Sequence, residues 1–312
     1  MNASLSLFCP AKLNLHLRIV GRRSDGYHLL DTLFHAIDLG DDLSCARSSG
    51  PLSLAITADD PRDALPVQDD NLVLRAARAF AQAVRAEPSF AFTLHKRVPH
   101  GGGLGGGSSD AAAALRLCNA MCGEPLDRAA MLELARPLGA DVAFFLDCGT
   151  QWGTGIGDTL QPVSNPPSLW FTLLVPPFGC PTAEVYKTRA LMWQGSDAAD
   201  SIARVRDHLH DVAAATLRGQ IVNDLAAAAE QVRPQLARLR ERAEGLTVGN
   251  VAMTGSGSTL FVLADSERLA AEHRERLRPL GADGVRILGA RSFGVAPQVR
   301  TATAPISRGE FA

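Results

Sequence analysis

Six of the seven residues from Gly101 to Gly107 are glycine, in the stretch VPHGGGLGGGSSDAAAAL at residues 98–115. A run like this is usually a linker, yet here it is held at both ends. The strand-like FAFTLHKRV, residues 90–98, leads in, and an alanine-rich helix over 108–121 leads out. A glycine loop that opens a helix is built to receive an anion. Its backbone N–H groups converge, and the helix N-terminus adds about half a positive charge. Without Cβ atoms the chain can adopt positive φ and approach a phosphate closely.

Several phosphate loops compete for this pattern. A Walker A motif needs a Lys after its last glycine, and none follows here. A dinucleotide fingerprint matches at Gly101, Gly103 and Gly106, with Glu124 at a suitable distance. That acid should end a second strand, however, and CGEPLDRAAMLELA joins one helix to another. The V-A-I-K and H-R-D signatures of protein kinases are missing.

With 312 residues the chain has length for two domains and a sizeable core. A formal charge of −2 excludes a general affinity for nucleic acid or for an anionic membrane. No apolar run approaches the ~20 residues of a membrane helix. The strand-like start MNASLSLFCPAKLNLHL argues against a signal peptide. The six cysteines offer no second pair to join Cys118 and Cys122 in a zinc site, and read as reduced packing residues of a cytoplasmic enzyme. Of 31 basic residues only Lys12, Lys96 and Lys187 are lysines. Where Arg is so preferred, a retained Lys hints at a site that a wide guanidinium does not fit.

Leu5, Leu7, Leu13, Leu15, Leu17 and Ile19 alternate with polar neighbours, which puts Lys12, Asn14, His16 and Arg18 on the opposite face of a strand. A polar loop over 21–28 precedes strands at 29–39 and 43–57. Asp70 or Asn71 caps a helix to about Arg85, and a further helix spans 127–137. A glycine-punctuated hairpin occupies 149–163. The Pro-rich VSNPPS, residues 163–168, divides the chain into domains at 1–165 and 166–296, followed by a loose polar tail at 297–312. The second domain carries a buried strand over 168–177, helices over 198–217 and 221–244, and a strand–turn–strand at VAMTGSGSTLFVL, residues 251–263. A helix over 266–279 and a strand near 285–293 complete it.

PAKLNL at the first strand, PHGGGLGGGSS and MTGSGSTLFV together resemble the three motifs of the GHMP kinases, which phosphorylate small metabolites with ATP. SDGYHLLDTLF, GADVAFFL, PTAEVYK, NDL at 223–225 and SFGVAP resemble the branch of that superfamily acting on a cytidyl-methylerythritol. The likeness extends over residues 5–297. It implies a two-domain α+β fold: an N-terminal domain like the second domain of a ribosomal small-subunit protein, and a ferredoxin-like C-terminal domain, with substrate in the cleft between them. It also implies roles. Lys12 and Asp141 match the catalytic pair. The run Pro99, His100, Gly101, Gly102, Gly103, Leu104, Gly105, Gly106, Gly107, Ser108 and Ser109 matches the ATP-phosphate loop. Tyr27 and His28 match cytidine-binding positions, and Asn14, Thr182 and Tyr186 lie on the substrate side. Mg²⁺ is implied with ATP, without an assigned protein ligand. Asp110 stands where the family commonly has Asn, and Tyr186 where it often has Phe.

Taken alone, these residues have plainer explanations. Lys12 reads as a solvated lysine, Asp141 as a cap, Tyr27 and His28 as a loop cover and a satisfied imidazole. Lys96 and Asn71 fit the adenosine side, or equally a strand end and a helix cap. Gly255–Ser258 is either a hairpin turn or a wall of the phosphate end. The rival functions are another GHMP kinase, acting on a sugar or mevalonate, and a nucleotide-binding sensor without catalysis. Tyr27-His28 opposes the first, since those substrates have no base to stack, and intact Lys12 and Asp141 oppose the second.

Overall fold

The computed structural model describes residues 4–87, 89–192, 221–247 and 249–302. The helix expected over 198–217 and residues 303–312 of the tail lie outside them. Strands β1 (Ser4–Arg22) and β2 (His28–Arg47) pair antiparallel from Ser4↔Ala46 to Arg22↔His28. Register shifts between Pro10/Ala11, Asn14/His16 and Ile19/Gly21 interrupt the ladder. Such bulges let long strands bend around a core.

The break expected between 39 and 43 does not exist, because β2 runs straight through Gly40. That glycine serves packing: a Cβ there would lie 2.3 Å from the Phe8 ring. The chain turns after Arg47 instead and returns as β3 (Ser53–Ala58), parallel to β4 (Phe90–Lys96), which lies antiparallel to β2. The hairpin β5 (Thr150–Thr154) and β6 (Thr159–Pro162) extends from β2 as expected.

Helices α1 (Leu72–Ala83), α2 (Gly106–Met121), α3 (Arg128–Ala135) and α4 (Ala140–Asp147) accompany this sheet. Asn71 caps α1, its Oδ1 accepting the Val73 N–H at 2.9 Å. Helix α2 is buried along Ala111–Leu115, Leu117 and Cys118. Alanines let α1 and α4 approach it closely, around Phe80, Phe90, Phe92 and Phe144 in one apolar core.

In the second half, β7 (Trp170–Val175) is followed by α5 (Thr182–Leu191) and the short β8 (Val222–Asn223). Then come α6 (Ala226–Val232), α7 (Pro234–Glu244), β9 (Val251–Met253), β10 (Leu260–Ala264), α8 (Glu267–Leu277) and β11 (Arg286–Arg291). The sheet order β11-β7-β10-β9, all antiparallel, is the ferredoxin-like arrangement. The single helix expected over 221–244 is instead a strand and two helices. Residues 222–223 pair parallel with β1, and Pro234, which lacks an N–H, starts a new helix.

The stretch after Pro297, expected to be loose, also differs. Arg116 Nη2 donates to the Pro297 carbonyl (2.6 Å), and β12 (Arg300–Thr301) pairs with β1 at Leu5↔Thr301. Two strands from beyond residue 165 therefore complete the first sheet. No helix among the described residues is long and apolar enough to cross a membrane.

Candidate active site

The glycine loop joins β4 to α2 with positive φ at Gly101, Gly103 and Gly105 (+70°, +78°, +74°). Helix α2 starts two residues earlier than the sequence implied, with Gly105 as its N-cap. Its glycines serve different neighbours. A Cβ at Gly102 would lie 2.5 Å from Thr259 Oγ1, and one at Gly103 would lie 2.5 Å from the Thr254 carbonyl. At Gly105 it would meet the Phe145 ring at 2.9 Å, and at Gly106 the Val98 side chain at 2.9 Å. Protein packing thus accounts for four of the six. Gly101 faces open space, and at Gly107 the nearest atom, Leu72 Cδ1, is 3.7 Å away. Those two leave backbone bare at the border of the cleft described below.

Lys12 is not a surface lysine. The polar face of β1 is covered, leaving Lys12, Asn14 and His16 buried. Lys12 Nζ lies 3.4 Å from Asp141 Oδ2 and donates to Asn14 Oδ1 at 2.6 Å. The Asn14 Nδ2 donates to Thr32 Oγ1 (2.8 Å), whose hydroxyl donates to the His16 carbonyl (2.7 Å). The Lys12 backbone N–H donates to the Leu104 carbonyl inside the glycine loop at 2.9 Å. Asp141 sits in the first turn of α4, where the helix N-terminus favours its carboxylate, and its side chain stays 30% exposed against 4% for Lys12.

A cleft of ≈ 390 Å³ opens over this pair, bordered by Lys12, Asn14, Asp141, the glycine loop, Thr182, Tyr186, Gly255 and Ser256. Thr182 Oγ1 and Ser256 Oγ are hydrogen-bonded at 2.9 Å. The rings of His28 and Tyr186 lie 5.3 Å apart, tilted by 37°. Burial, with the charge of Asp141, holds the Tyr186 phenol above its usual range. Partial burial, with Arg22 and Arg189, pulls the His28 imidazole below its own. Tyr27 is 62% exposed on the loop before β2, neither Tyr27 nor His28 borders the cleft itself, and Ser109 is buried in α2.

Lys96 also borders the cleft, and its partners were not foreseen. Its ammonium donates to Asp41 and to Asp110 Oδ2, the latter at 2.8 Å. Asp41 Oδ1 further accepts the N–H groups of Arg97 and Val98 (2.5 and 2.8 Å). Asp110 is therefore turned toward this nest, where Lys96 offsets its charge. Burial, with Asp41 adding to it, outweighs Lys96 and lifts the Asp110 carboxyl to about 7. Asn71, the other residue read toward adenosine, caps α1 and leaves the lining to Leu72.

Four supporting residues were also missed. Asp63 Oδ1 accepts the His100 N–H (3.0 Å) while Arg286 binds the same carboxylate. Thr254 and Asn223 hold the turn behind the loop. Thr254 and Asn223 lie in the motifs MTGSGS and NDL, which gave them no role of their own, and Asp63 and Arg286 lie in no motif.

A glycine loop at a helix start, a buried Lys paired with a half-buried Asp beside it and a ferredoxin-like second half define the chain as a small-molecule kinase of the GHMP class. Residues 71–149 match the GHMP kinases N terminal domain, and residues 212–283 match GHMP kinases C terminal. A 4-diphosphocytidyl-2-C-methyl-D-erythritol kinase of Salinispora arenicola is 38% identical over 277 residues, covering 84% of this chain and 85% of that one. A solved 4-(cytidine 5'-diphospho)-2C-methyl-D-erythritol kinase structure superposes with a TM-score of 0.73 at 33% identity, covering 93% of this chain and 99% of the other. The chain belongs to the 4-diphosphocytidyl-2-C-methyl-D-erythritol kinase family. A homoserine kinase from Cytophaga hutchinsonii reaches the same TM-score of 0.73 at 18% identity, with 96% and 98% covered. That likeness shows the fold alone, so substrate choice must be argued from the site.

Proposed function

We propose that the chain transfers the γ-phosphoryl group of ATP to the 2-hydroxyl of 4-diphosphocytidyl-2-C-methyl-D-erythritol, a step of the non-mevalonate isoprenoid precursor route. The observation that carries this reading is the Lys12–Asp141 pair, 3.4 Å apart and open to the cleft beside the glycine loop. Asp141 accepts the proton of the attacking hydroxyl as its oxygen bonds to phosphorus, and the bond to the departing ADP oxygen breaks. Lys12 holds that carboxylate in place and balances charge on the transferring group. Asn14 fixes the ammonium in place. The N–H groups at the start of α2, with the bare backbone at Gly101 and Gly107, hold the nucleotide phosphates.

The His28–Tyr186 ring pair supports recognition of the cytosine, with Tyr27 free at the rim to cover its other face. A His28 held neutral can both donate to and accept from the base edge. Among the described residues no group of three or more His, Cys, Asp or Glu could hold a metal ion, and Asp141 is the single acid bordering the cleft. These surroundings fit an Mg²⁺ that arrives on the ATP phosphates, where it neutralises their charge, better than a protein cage. Six free thiols go with a reducing, cytoplasmic setting.

The test is ATP turnover by the purified protein against the cytidyl-methylerythritol substrate, mevalonate, galactose and homoserine. Turnover confined to the first supports the reading. Preference for another acceptor would replace the substrate and keep the kinase, and no turnover with any would favour a sensor.

A further inference from the structure

The turn Thr254–Thr259 touches both halves of the reacting geometry. Thr254 Oγ1 accepts the backbone N–H of Asn14 at 3.0 Å, two residues from Lys12. The Thr259 N–H donates to the Gly102 carbonyl at 3.2 Å. Against Gly102 and Gly103 the fit leaves no space for a single added carbon. Any displacement of this turn therefore moves the phosphate loop relative to the Lys12 ammonium. The turn itself, TGSGST, is made of small, permissive residues and has two internal backbone bonds, Thr254 N–H to Thr259 O (3.1 Å) and Gly257 N–H to Thr254 O (3.0 Å).

Side chains hold the turn from outside: Thr182 bonds Ser256, the Ser258 hydroxyl donates to the Phe178 carbonyl, and Asn223 grips the end next to Asn14. The Asn223 Nδ2 donates to the Met253 and Gly255 carbonyls, 2.8 Å each, gripping the turn on both sides of Thr254. Its Oδ1 accepts the Leu225 N–H at 2.9 Å, and β8 anchors it beside Leu17 of β1. Two donations and one acceptance from one short side chain require a primary amide. Asn223 does not border the cleft.

We propose that Asn223 is a positioning residue for phosphoryl transfer, which fixes the distance between the glycine loop and the Lys12–Asp141 pair through the Thr254–Thr259 turn. This rests on the kinase reading above. Misplacement by ~1 Å can cost on the order of 10²-fold in rate, so the effect belongs in kcat.

Two variants isolate it. Asn223→Asp keeps the acceptor for Leu225 and loses both donors. Thr254→Val keeps side-chain volume and removes the acceptor for the Asn14 N–H. For each, melting and circular dichroism first establish folding at the assay temperature. Then kcat, KM and the Kd of a non-hydrolysable ATP analogue are measured. Both variants should lose at least about tenfold in kcat, with the analogue Kd shifted by no more than about threefold. The double variant should lose little beyond the worse single one, since both act on one turn. Amide exchange at Thr259 should accelerate in Asn223→Asp.

A folded Asn223→Asp with wild-type kcat and wild-type Thr259 exchange would overturn the proposal, leaving Asn223 as a partner of Leu225 only. If that variant does not fold, wild-type kcat in Thr254→Val overturns it equally. Failure of the wild-type protein on the cytidyl substrate would instead strike the functional reading, and the exchange measurement still decides on Asn223.

Discussion

Replacing Lys12 by Arg preserves a positive charge and changes its shape. The ammonium sits 2.6 Å from Asn14 Oδ1 and 3.4 Å from Asp141 Oδ2, with the Phe34 ring centroid 5.6 Å away. Its stem runs against the glycine loop: a Cβ at Gly105 would lie 3.1 Å from Lys12 Cγ, and one at Gly255 would lie 3.4 Å from Nζ. A guanidinium fork is wider and one atom longer than this space, so it must push Asp141 or the loop aside, or swing into the cleft. A displacement of ~1 Å at reacting groups costs on the order of 10²-fold, or about 2.7 kcal/mol in the barrier. Stopped-flow or coupled ATPase assays with saturating acceptor should show kcat reduced at least that far, while a fluorescent ATP analogue still binds and the melting curve stays cooperative. Wild-type kcat in a folded Lys12→Arg would refute the assignment of Lys12 to the reacting centre.

Gly107→Ala separates ligand space from protein packing. The position is helical and open, so Ala should raise the melting temperature slightly while raising the KM for ATP, and an unchanged KM would remove the phosphates from that backbone. Gly103→Ala should instead lower stability, because its Cβ would meet the Thr254 carbonyl at 2.5 Å with φ at +78°. Tyr27→Ala should weaken the cytidyl substrate by roughly one to two decades, the loss of one base stack, and leave the ATP KM nearly unchanged. Equal losses for both would place Tyr27 elsewhere. Asp110 has its folded pKa raised to about 7, chiefly by burial, so its contribution is full below the ordinary carboxylate pKa and is lost as pH rises toward 7. Melts from pH 4 to 8 should therefore show Asp110→Asn gaining on the wild type across that rise, and a constant difference would contradict the burial argument.

How much of this was legible in the sequence differs by residue. The glycine loop, its strand and its helix were readable because composition and local phase agree there. The Asn71 cap was readable because its rule is local. The lysine count was also informative: Lys12 and Lys96 are both buried among oxygen partners, and Lys187 alone is exposed. The Lys12–Asp141 pairing came from resemblance, and the structure brings the two together. Alternation along β1 set Lys12 and Asn14 apart from Leu13 and Leu15, but bulges break its phase: Leu7 packs in a different core from Leu13 and Leu15, and the His16 ring lies 5.7 Å from Trp152 in the core of those two leucines. Nor could it reveal that the Thr254 turn covers Asn14. That turn lies far away in sequence. For the same reason the nest of Lys96, Asp41 and Asp110, drawn from β4, β2 and α2, left no local trace. The strands at 222–223 and 300–301 are made by backbone pairing, which side-chain patterns do not encode. The glycines at 102 and 103 were read as making room for phosphate, whereas their tightest neighbours belong to the second half of the chain.

The proposed reaction comes down to one bond, between the γ-phosphorus and a particular hydroxyl. The most direct measurement is therefore phosphorus and carbon NMR of the product formed from 4-diphosphocytidyl-2-C-methyl-D-erythritol and ATP. A new phosphomonoester resonance with phosphorus coupling at C2 of the methylerythritol moiety, formed in step with ADP, is the predicted result. Phosphorylation at another hydroxyl, or ADP release without a phosphorylated acceptor, would contradict the account.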